Sequence, residues 1–517
     1  MTAVHRDSRI PISDQTKAET MAEETGSNTL TRPGIESWSN LSLLIGGEMT
    51  EGRGETLDVV DPATERVVAT IAGADAAQAD LAVTSAREAF EAGPWSSATP
   101  AERSALINRI ADGIEKRRDE FVNTIVTELG APISTAGALQ VDWPIKHLRE
   151  YAQAALEDRS QDLGLHTDPA PSRSVVEYRP VGVVAAIAAY NYPLLLLVHK
   201  LGAALAAGCT VVAIPSPRTP LSTLLLGEVL READVPAGVV NVVVGEVDIA
   251  RAVTENSGVD KIAFTGSVAV GEKVMRQAAK GVRGVVLELG GKSPAILLPG
   301  TNLAAVVPGL HQRYCRNGGQ ACAAPTRILV HESQWDEFLE LSHKAYESIQ
   351  VGDPWDPATN VGPMITEAHR DSVEQFIREA VDGGAVVAAG GGRPASGPGW
   401  FVNPALVINV KNTDPICQEE IFGPVATAMP YSTVDEAVTI ANETRYGLHA
   451  YLFGPDTDAA REIAPRLRAG TVSVNGGGGL RADAPMGGFG ASGVGREIGS
   501  WGIHEYLEPQ HIQWSCD

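Results

Sequence analysis

The sequence predicts an α/β protein with more than one domain. Short apolar runs at residues 181–187, 211–214, 239–244 and 261–264 alternate with helical segments. Such alternation is typical of a parallel sheet whose faces are covered by helices. A second cycle of strand candidates follows at residues 295–298, 326–330 and 422–429. The 517 residues are enough for two or more cores, since a domain usually holds roughly 100–200 residues.

The region before the first cycle predicts short strands followed by amphipathic helices. Residues 44–72 alternate around turn signals such as Gly46-Gly47 and Asp61-Pro62. Apolar residues then recur with helical spacing, and Thr99 with Pro100 marks the start of the second helix. The apolar positions are Ala79, Ala82, Val83, Ala86, Ala89 and Phe90 in the first helix, and Leu106, Ile107, Ile110 and Ile114 in the second. These faces are predicted to lie in the core.

Composition excludes several classes of function. The formal net charge of −23 disfavours a nucleic acid partner, which needs a basic surface. Apolar runs are too short to span a bilayer, so no membrane partner is expected. The five cysteines lack metal-ligand spacing and are too sparse for a disulfide framework, which favours no metal site and a reducing cytoplasm. Residues 1–40 are polar and acidic, unlike a secretory or transit signal, and predict a flexible extension.

Glu288 and Cys322 are the residues that most directly suggest chemistry. They lie in glycine-rich segments and are separated by 34 residues. A thiolate attacks a carbonyl carbon, and a carboxylate accepts a proton from the thiol or from a later water. Either residue alone has an ordinary structural interpretation, a small buried thiol or a surface acid.

Both segments closely resemble the active-site signature of the NAD(P)-dependent aldehyde dehydrogenase superfamily. Residues 288–293 read Glu-Leu-Gly-Gly-Lys-Ser, and residues 319–322 read Gly-Gln-Ala-Cys. The resemblance extends from about residue 45 to residue 497. It implies an aldehyde dehydrogenase-like α/β fold with a Rossmann-type nucleotide domain, a catalytic domain and a small oligomerisation element.

The resemblance implies catalytic roles for three residues. Cys322 would be the nucleophile, forming a thiohemiacetal and then a thioester. Asn191 would donate to the oxyanion together with the backbone N–H of Cys322, although an Asn near Pro193 also suits a plain turn. Glu288 would activate water, and because relatives that transfer the acyl group to coenzyme A typically lack this glutamate, a free carboxylic acid is the expected product.

The resemblance also implies a site for NAD or NADP. Gly266 and Ser267 follow the strand candidate 261–264 and precede a helix, whose N-terminus suits a pyrophosphate. Gly245 permits close approach of the adenosine half, and Glu420 with Phe422 corresponds to the segment that holds the nicotinamide ribose and ring. The other expected cofactor contacts are Ile187, Ala189, Tyr190, Ile214, Ser216, Pro217, Arg218, Leu289 and Gly290.

Two regions depart from the family pattern. Ile214 and Pro217 stand where relatives usually have the Lys and Glu that hold the adenosine ribose, and Arg218 lies beside them as a phosphate partner or a plain surface residue. This predicts relaxed NAD/NADP preference or a shifted ribose. In the expected substrate tunnel, Tyr192, His199, Leu480 and Met486 occupy positions that are often aromatic in relatives. Less ring surface predicts medium or bulky apolar aldehydes, with His199 either contacting a polar substrate group or packing.

The expected organisation has four parts. Residues 1–40 form the extension, 41–160 and 181–289 the NAD(P)-binding domain, 161–180 and 499–517 an oligomerisation arm, and 290–498 the catalytic domain. The family resemblance and the exposed edge of the arm predict a homodimer or homotetramer. Two alternatives stay open: a coenzyme A-acylating enzyme, and a catalytically weak nucleotide-binding protein of the same fold.

Overall fold

The computed structural model describes residues 32, 38, 40–394, 397–477 and 479–516. Most of the predicted N-terminal extension, residues 1–40, lies outside them. Trp38 is buried and its Nε1 donates to Thr124 Oγ1 at 3.0 Å, while Arg32 pairs with Asp353 at 2.7 Å. The prediction that the extension continues to residue 40 is therefore wrong at Trp38, which packs into the core.

The N-terminal region contains two short antiparallel pairs and five helices. The strands are β1 (Leu43–Ile45), β2 (Glu48–Thr50), β3 (Thr56–Asp61) and β4 (Arg66–Ala72), and the helices are α1 (Ala76–Glu91), α2 (Pro100–Lys116), α3 (Arg118–Leu129), α4 (Ile133–Ala136) and α5 (Trp143–Ala154). The predicted start of α2 is confirmed, since Thr99 and Glu102 form a reciprocal capping box. The apolar faces of α1 and α2 are buried as expected, except that Phe90 is only half-buried.

A β-hairpin and a βα series follow. The hairpin strands are β5 (Gln161–His166) and β6 (Ser172–Pro180), within the stretch expected to form an arm or hairpin. The series consists of β7 (Val183–Ile187), α6 (Pro193–Ala207), β8 (Thr210–Ile214), α7 (Leu221–Glu232), β9 (Val240–Val242), α8 (Val247–Glu255), β10 (Lys261–Thr265), α9 (Val268–Ala279) and β11 (Gly284–Glu288). All four strand predictions in this series are confirmed, within three residues at their ends.

A second αβ series forms another sheet. It comprises β12 (Pro294–Leu297), α10 (Leu303–Cys315), β13 (Arg327–His331), α11 (Trp335–Glu347), α12 (Glu367–Asp382), β14 (Val386–Gly390), β15 (Ala405–Ile408), α13 (Pro415–Gln418), β16 (Val425–Tyr431), α14 (Val434–Asn442), β17 (His449–Phe453), α15 (Thr457–Ile463) and β18 (Thr471–Val474). The predicted strand at residues 422–429 begins too early. Phe422 has a φ of 56°, outside the strand region, so the strand starts only at Val425.

The last elements return to earlier parts of the chain. They are β19 (Gly493–Val494), α16 (Gly499–His504) and β20 (Leu507–Ser515). β19 pairs antiparallel with β11, and β20 pairs antiparallel with β6 over nine residues. The C-terminal strand therefore completes a three-stranded sheet with the hairpin, in the order β20-β6-β5.

The order of the first sheet creates a crevice for a ligand. Its eight strands run β19-β11-β10-β7-β8-β9-β1-β2, with β7 to β11 mutually parallel. From β7 the chain moves to β8 and β9 on one side and then to β10 and β11 on the other. In open α/β sheets, ligands bind outside the carboxyl ends of the strands at such a switch point.

The second sheet has its own hydrophobic packing on both faces. Its order is β14-β15-β16-β13-β12-β17-β18. Ile296 belongs to one buried cluster and Ala295 and Leu297 to another, as expected for a strand that alternates between two covered faces. Among the described helices, none is long and apolar enough to cross a membrane.

Candidate active site

A cavity of about 1500 Å³ lies at the switch point between β7 and β10 and continues to the second sheet. Its walls include residues that follow β7, β8, β10 and β11, together with the segments around residues 322, 421 and 450. The structure brings together in its lining all the residues that the sequence singled out for catalysis, cofactor and substrate. These are Cys322, Glu288, Asn191, Ile187, Ala189, Tyr190, Ile214, Ser216, Pro217, Arg218, Gly245, Gly266, Ser267, Leu289, Gly290, Glu420, Phe422, Tyr192, His199, Leu480 and Met486.

Cys322 follows a turn that only a glycine-rich sequence forms easily. Asn317, Gly318 and Gly319 all have positive φ, and a Cβ at Gly319 would lie 2.1 Å from the carbonyl carbon of Gly423. The Cys322 side chain is half-buried in the cavity wall. Burial, followed by the charges of Glu420 and Glu288, raises the pKa of the Cys322 thiol to about 12. A thiol with such a pKa is protonated at neutral pH and becomes a nucleophile only after a base takes its proton.

Asn191 is fixed beside Cys322 by a buried amide network. The side-chain Nδ2 of Asn191 donates to the backbone O of Gln320 at 2.9 Å. The backbone carbonyl of Asn191 accepts from Gln140 Nε2 at 3.1 Å and from Asn317 Nδ2 at 2.8 Å. A side-chain amide has two N–H donors, so Asn191 retains one for a ligand. Gln320 is anchored in turn, because its Oε1 accepts from the backbone N–H of Ile365 at 3.0 Å.

Glu288 ends β11 and is buried without a hydrogen-bond partner among the described residues. Burial raises the pKa of its carboxyl well above 4.5, the charge of Glu497 raises it further, and the charge of Lys200 lowers it. Burial in such a setting therefore favours the protonated carboxyl over the carboxylate. Close packing leaves it little room, since a Cβ at Gly487 would lie 2.9 Å from Glu288 Oε1.

A buried ion pair lies behind Glu288. Lys200 Nζ donates to Glu497 Oε1 at 2.7 Å and to Thr265 Oγ1 at 2.6 Å. His199 Nδ1 lies 3.5 Å from Glu497 Oε2, and its ring stacks on His147 at 4.7 Å. Although His199 borders the cavity, it is only 1% exposed. The geometry agrees with the packing role that the sequence left open for His199, rather than with a substrate contact.

The end of the cavity that the sequence predicts to hold the nucleotide is formed by β10, α9 and their junction. Ser267 is the N-cap of α9, where its side chain accepts from Val270 N, and Gly266 N donates to Glu288 O at 3.1 Å. The N-terminus of α9 therefore faces the cavity with backbone donors suited to phosphate. Ile214 and Pro217 border the same end without offering a polar side chain, and Arg218 is exposed beside them.

Glu420 and Phe422 connect the two sheets at this cavity. Glu420 Oε1 accepts from Gly291 N at 2.9 Å, and burial raises its pKa to about 7. A Cβ at Gly290 would lie 2.2 Å from Glu420 Oε2, so any larger residue there would displace the Glu420 carboxylate. Phe422 adopts a left-handed conformation and meets Tyr190 edge to face at 6.0 Å. Backbone strain of this kind is concentrated at functional sites.

Several site residues escaped the sequence analysis. Gln320 lies inside the quoted cysteine motif, yet only its contacts with Asn191 and Ile365 reveal a supporting role. Lys200 and Glu497 are 297 residues apart, and nothing in either local pattern indicates that they pair. A charged residue in the otherwise apolar stretch of α6 was the one available signal for Lys200, because such a residue is rarely buried without a partner.

The fold and the cavity together define a class of protein: a two-sheet α/β protein with a thiol, one buried and one half-buried carboxylate, and a helix N-terminus in one crevice. The chain belongs to the aldehyde dehydrogenase family, whose model matches residues 49–512. It is 38% identical over 467 residues to the geranial dehydrogenase of Castellaniella defragrans, covering 90% of this chain and 96% of that one.

Solved structures agree with this assignment. The NAD+ complex of an aldehyde dehydrogenase from Bacillus cereus superposes with a TM-score of 0.91 at 35% identity, covering 94% of this chain and 99% of that one. A mutant of aldehyde dehydrogenase C from Pseudomonas syringae, in complex with NAD+ and octanal, gives a TM-score of 0.87 at 38% identity, with 92% and 96% covered. The predicted family and fold are therefore confirmed.

Proposed function

We propose that this protein oxidises an aldehyde to the free carboxylic acid with NAD+ or NADP+. The observation that carries the proposal is the placement of Cys322, Asn191 and Glu288 on the wall of one cavity. The overall reaction consumes aldehyde, water and oxidised dinucleotide, and it releases acid, reduced dinucleotide and a proton.

The dinucleotide fits the residues at the switch point. The N-terminus of α9 supplies backbone donors for the pyrophosphate, and Glu420, held by Gly291 N, supplies a carboxylate for ribose hydroxyls. When bound, the cofactor accepts the hydride of the substrate. A related Bacillus cereus enzyme and a Pseudomonas syringae enzyme have been solved with NAD+, which supports this assignment.

The chain's own residues would carry the remaining steps. Cys322 Sγ, once deprotonated, adds to the carbonyl carbon and forms a thiohemiacetal, while Asn191 Nδ2 and the backbone N–H of Cys322 stabilise the oxyanion. After oxidation the acyl group is a thioester on Cys322. Glu288 then takes a proton from water, the resulting hydroxide attacks the thioester, and the acid leaves as Cys322 is regenerated.

Medium or bulky apolar aldehydes are the proposed substrates. Leu195, Leu196, Leu480 and Met486 give the substrate end of the cavity apolar surface, and the glycine-rich loop at Gly476, Gly477 and Gly479 carries no bulky side chains. Geranial and octanal, which the names of two relatives mention, belong to this class of aldehyde. A highest kcat/KM for acetaldehyde would contradict the proposal.

We further propose a relaxed preference between NAD and NADP. Arg218 lies at the adenosine end, and no carboxylate among the described residues pairs with it, whereas Arg251 on the same wall pairs with Glu255 at 3.2 Å. Arg218→Ala should lower kcat/KM for NADP and leave that for NAD unchanged. A wild-type preference for NAD above about a hundredfold, roughly 2.7 kcal/mol, would exclude the relaxed preference.

An aldehyde panel run with both cofactors tests the central proposal. Wild type should form reduced dinucleotide and accumulate acid without coenzyme A, and Cys322→Ala should abolish both. Cys516→Ser is the matched control, since that thiol lies beyond β20, outside the cavity lining. Acid formation that requires coenzyme A would favour acyl transfer, and full activity in Cys322→Ala would refute the mechanism.

A cytoplasmic location is part of the proposal, supported by five unpaired cysteines.

A further inference from the structure

Two arginines at the substrate end of the cavity have no role in the proposed mechanism. Arg313 lies in the last turn of α10, and Arg316 lies three residues later, in the segment that leads to Cys322. Both line the cavity and both are only partly exposed. They therefore bring two positive charges to the wall that also carries the nucleophile.

Neither guanidinium is neutralised by the protein. Within the described part of the chain, no carboxylate forms an ion pair with Arg313 or Arg316. Two other arginines of the cavity do have carboxylate partners, since Arg481 pairs with Asp483 and Arg251 with Glu255, whereas Arg218 at the opposite, adenosine end has none among the described residues. In a chain with a net charge of −23, two partly buried arginines left without acidic partners indicate that a ligand supplies the negative charge.

The surroundings of the two arginines are polar and rigid. The Arg313 guanidinium lies 5.2 Å from the centre of the Tyr451 ring, whose hydroxyl donates to Ala323 O at 2.9 Å. Tyr451 stacks on His449 at 4.4 Å, and His449 Nε2 is 2.9 Å from Ser473 Oγ. Stacking and hydrogen bonds hold this wall in place, which lowers the entropy lost when a charged group binds to it.

We infer that, among aldehydes with an apolar chain of medium length, the protein prefers those that carry a carboxylate at the far end of that chain, bound by Arg313 and Arg316. Guanidinium groups pair with carboxylates through two parallel hydrogen bonds, so the two arginines suit this anion in charge and in geometry. The apolar wall formed by Leu195, Leu196 and Met486 would pack against the methylene chain between the two ends. The inference rests on the proposed aldehyde oxidation and specifies its substrate class.

The test compares substrates that differ only in the remote group. Hexanal, adipate semialdehyde and the methyl ester of adipate semialdehyde are assayed with wild type, Arg313→Met, Arg316→Met and the double variant. We expect wild type to favour the semialdehyde over its ester by about 10- to 100-fold in kcat/KM, because a hydrogen bond to a charged group is at stake. The arginine variants should lose this preference through a higher KM, with kcat/KM for hexanal unchanged or raised.

Arg481→Gln is the matched control, since Arg481 borders the same cavity but is already paired. It should leave the preference intact. The carboxylate inference is overturned if wild type oxidises hexanal and the ester as efficiently as the semialdehyde, or if the preference survives in the double variant. Absence of turnover with all three aldehydes would instead refute the proposed function, and circular dichroism of each variant separates loss of binding from loss of fold.

Discussion

At the residue scale, Glu288 sets the pH dependence of the proposed reaction. Burial and the charge of Glu497 raise its pKa well above 4.5. A protonated carboxyl cannot accept a proton from water, so deacylation should quicken as pH rises through the pKa of Glu288. We expect kcat in steady-state assays to increase with pH over the range in which the protein stays folded; a flat profile would contradict a base with a raised pKa.

Replacing Glu288 should separate the two halves of the reaction. In Glu288→Gln, acylation of Cys322 should continue, but water is no longer activated for deacylation. Rapid mixing should therefore show a burst of about one equivalent of reduced dinucleotide. The steady-state turnover that follows should be slower than in wild type by roughly 10²–10⁴-fold. Glu340→Gln, an exposed surface change paired with Lys344, serves as the control. A variant without a burst, or with normal turnover, would place Glu288 outside deacylation.

Gly290 offers a sharper test of the cofactor pocket. Since a Cβ there would lie 2.2 Å from Glu420 Oε2, Gly290→Ala should displace Glu420 and raise the KM for the dinucleotide about tenfold or more. Gly309→Ala is matched to it, because a Cβ at Gly309, within α10, meets no atom within 4 Å. That control should leave KM unchanged and add up to about 1 kcal/mol of stability. Equal KM values for the two variants would argue against Glu420 as a ribose contact.

At the element scale, α7 depends on a buried carboxylate at its N-terminus. Glu128, in α3, accepts from the backbone N–H groups of Leu221 and Ser222 at 2.7 and 3.1 Å. Because α7 begins directly after the loop that carries Arg218, this cap also fixes part of the proposed nucleotide pocket. Glu128→Ala should lower the free energy of unfolding by about 0.5–2 kcal/mol and raise the KM for the dinucleotide more than it lowers kcat.

The same cap has a pH signature. Burial raises the pKa of Glu128 to about 7 from the ordinary 4.5, so the folded protein binds more protons than the unfolded chain between these values. Stability contributed at this site is therefore fully present below about pH 4.5 and falls as pH rises toward 7. Denaturant titrations should show the advantage of wild type over Glu128→Ala shrinking from about pH 5 to pH 8. Thr99→Ala, which removes the cap of α2, should cost similar stability without a change in KM.

At the scale of the whole molecule, the three-stranded sheet predicts association between copies. Its outer strands β5 and β20 expose Leu163, Leu165, Ile512 and Trp514, and both have an unpaired edge within the described structure. Exposed apolar edges of this kind usually pair with another chain. The domain boundaries drawn from the sequence, with residues 161–180 and 499–517 as an arm, remain a proposal that this association would support.

We expect light scattering to give the mass of a homodimer or homotetramer. The double change Leu163→Glu and Leu165→Glu should shift the mass toward the monomer, since two carboxylates would have to be desolvated in the interface. Val282→Glu, at an exposed position after α9, is the control. A monomeric wild type, or an unchanged mass in the double variant, would refute the arm as the interface.

The amino-acid sequence by itself determined the fold class, the family and part of the cavity lining. Apolar periodicity and cap residues are local, which is why β7, β8, β10, β11 and the start of α2 were predictable within a few residues. Apolar periodicity predicted the start of β16 too early, because Phe422 has a left-handed backbone conformation that is incompatible with a strand. Composition predicted a flexible extension through Trp38, although the indole of Trp38 is buried in the core.

Only the tertiary structure decided which charged groups are paired and which are left for a ligand. Lys200 meets Glu497 behind Glu288 because β10, α6 and the C-terminal segment converge there, although the two residues are 297 positions apart. Arg481 pairs locally with Asp483, two residues further on, whereas only the fold shows that Arg313 and Arg316 face the cavity without an acidic partner in the described chain. Electrostatic partners depend on distances across the fold, and a one-dimensional pattern carries no such distances.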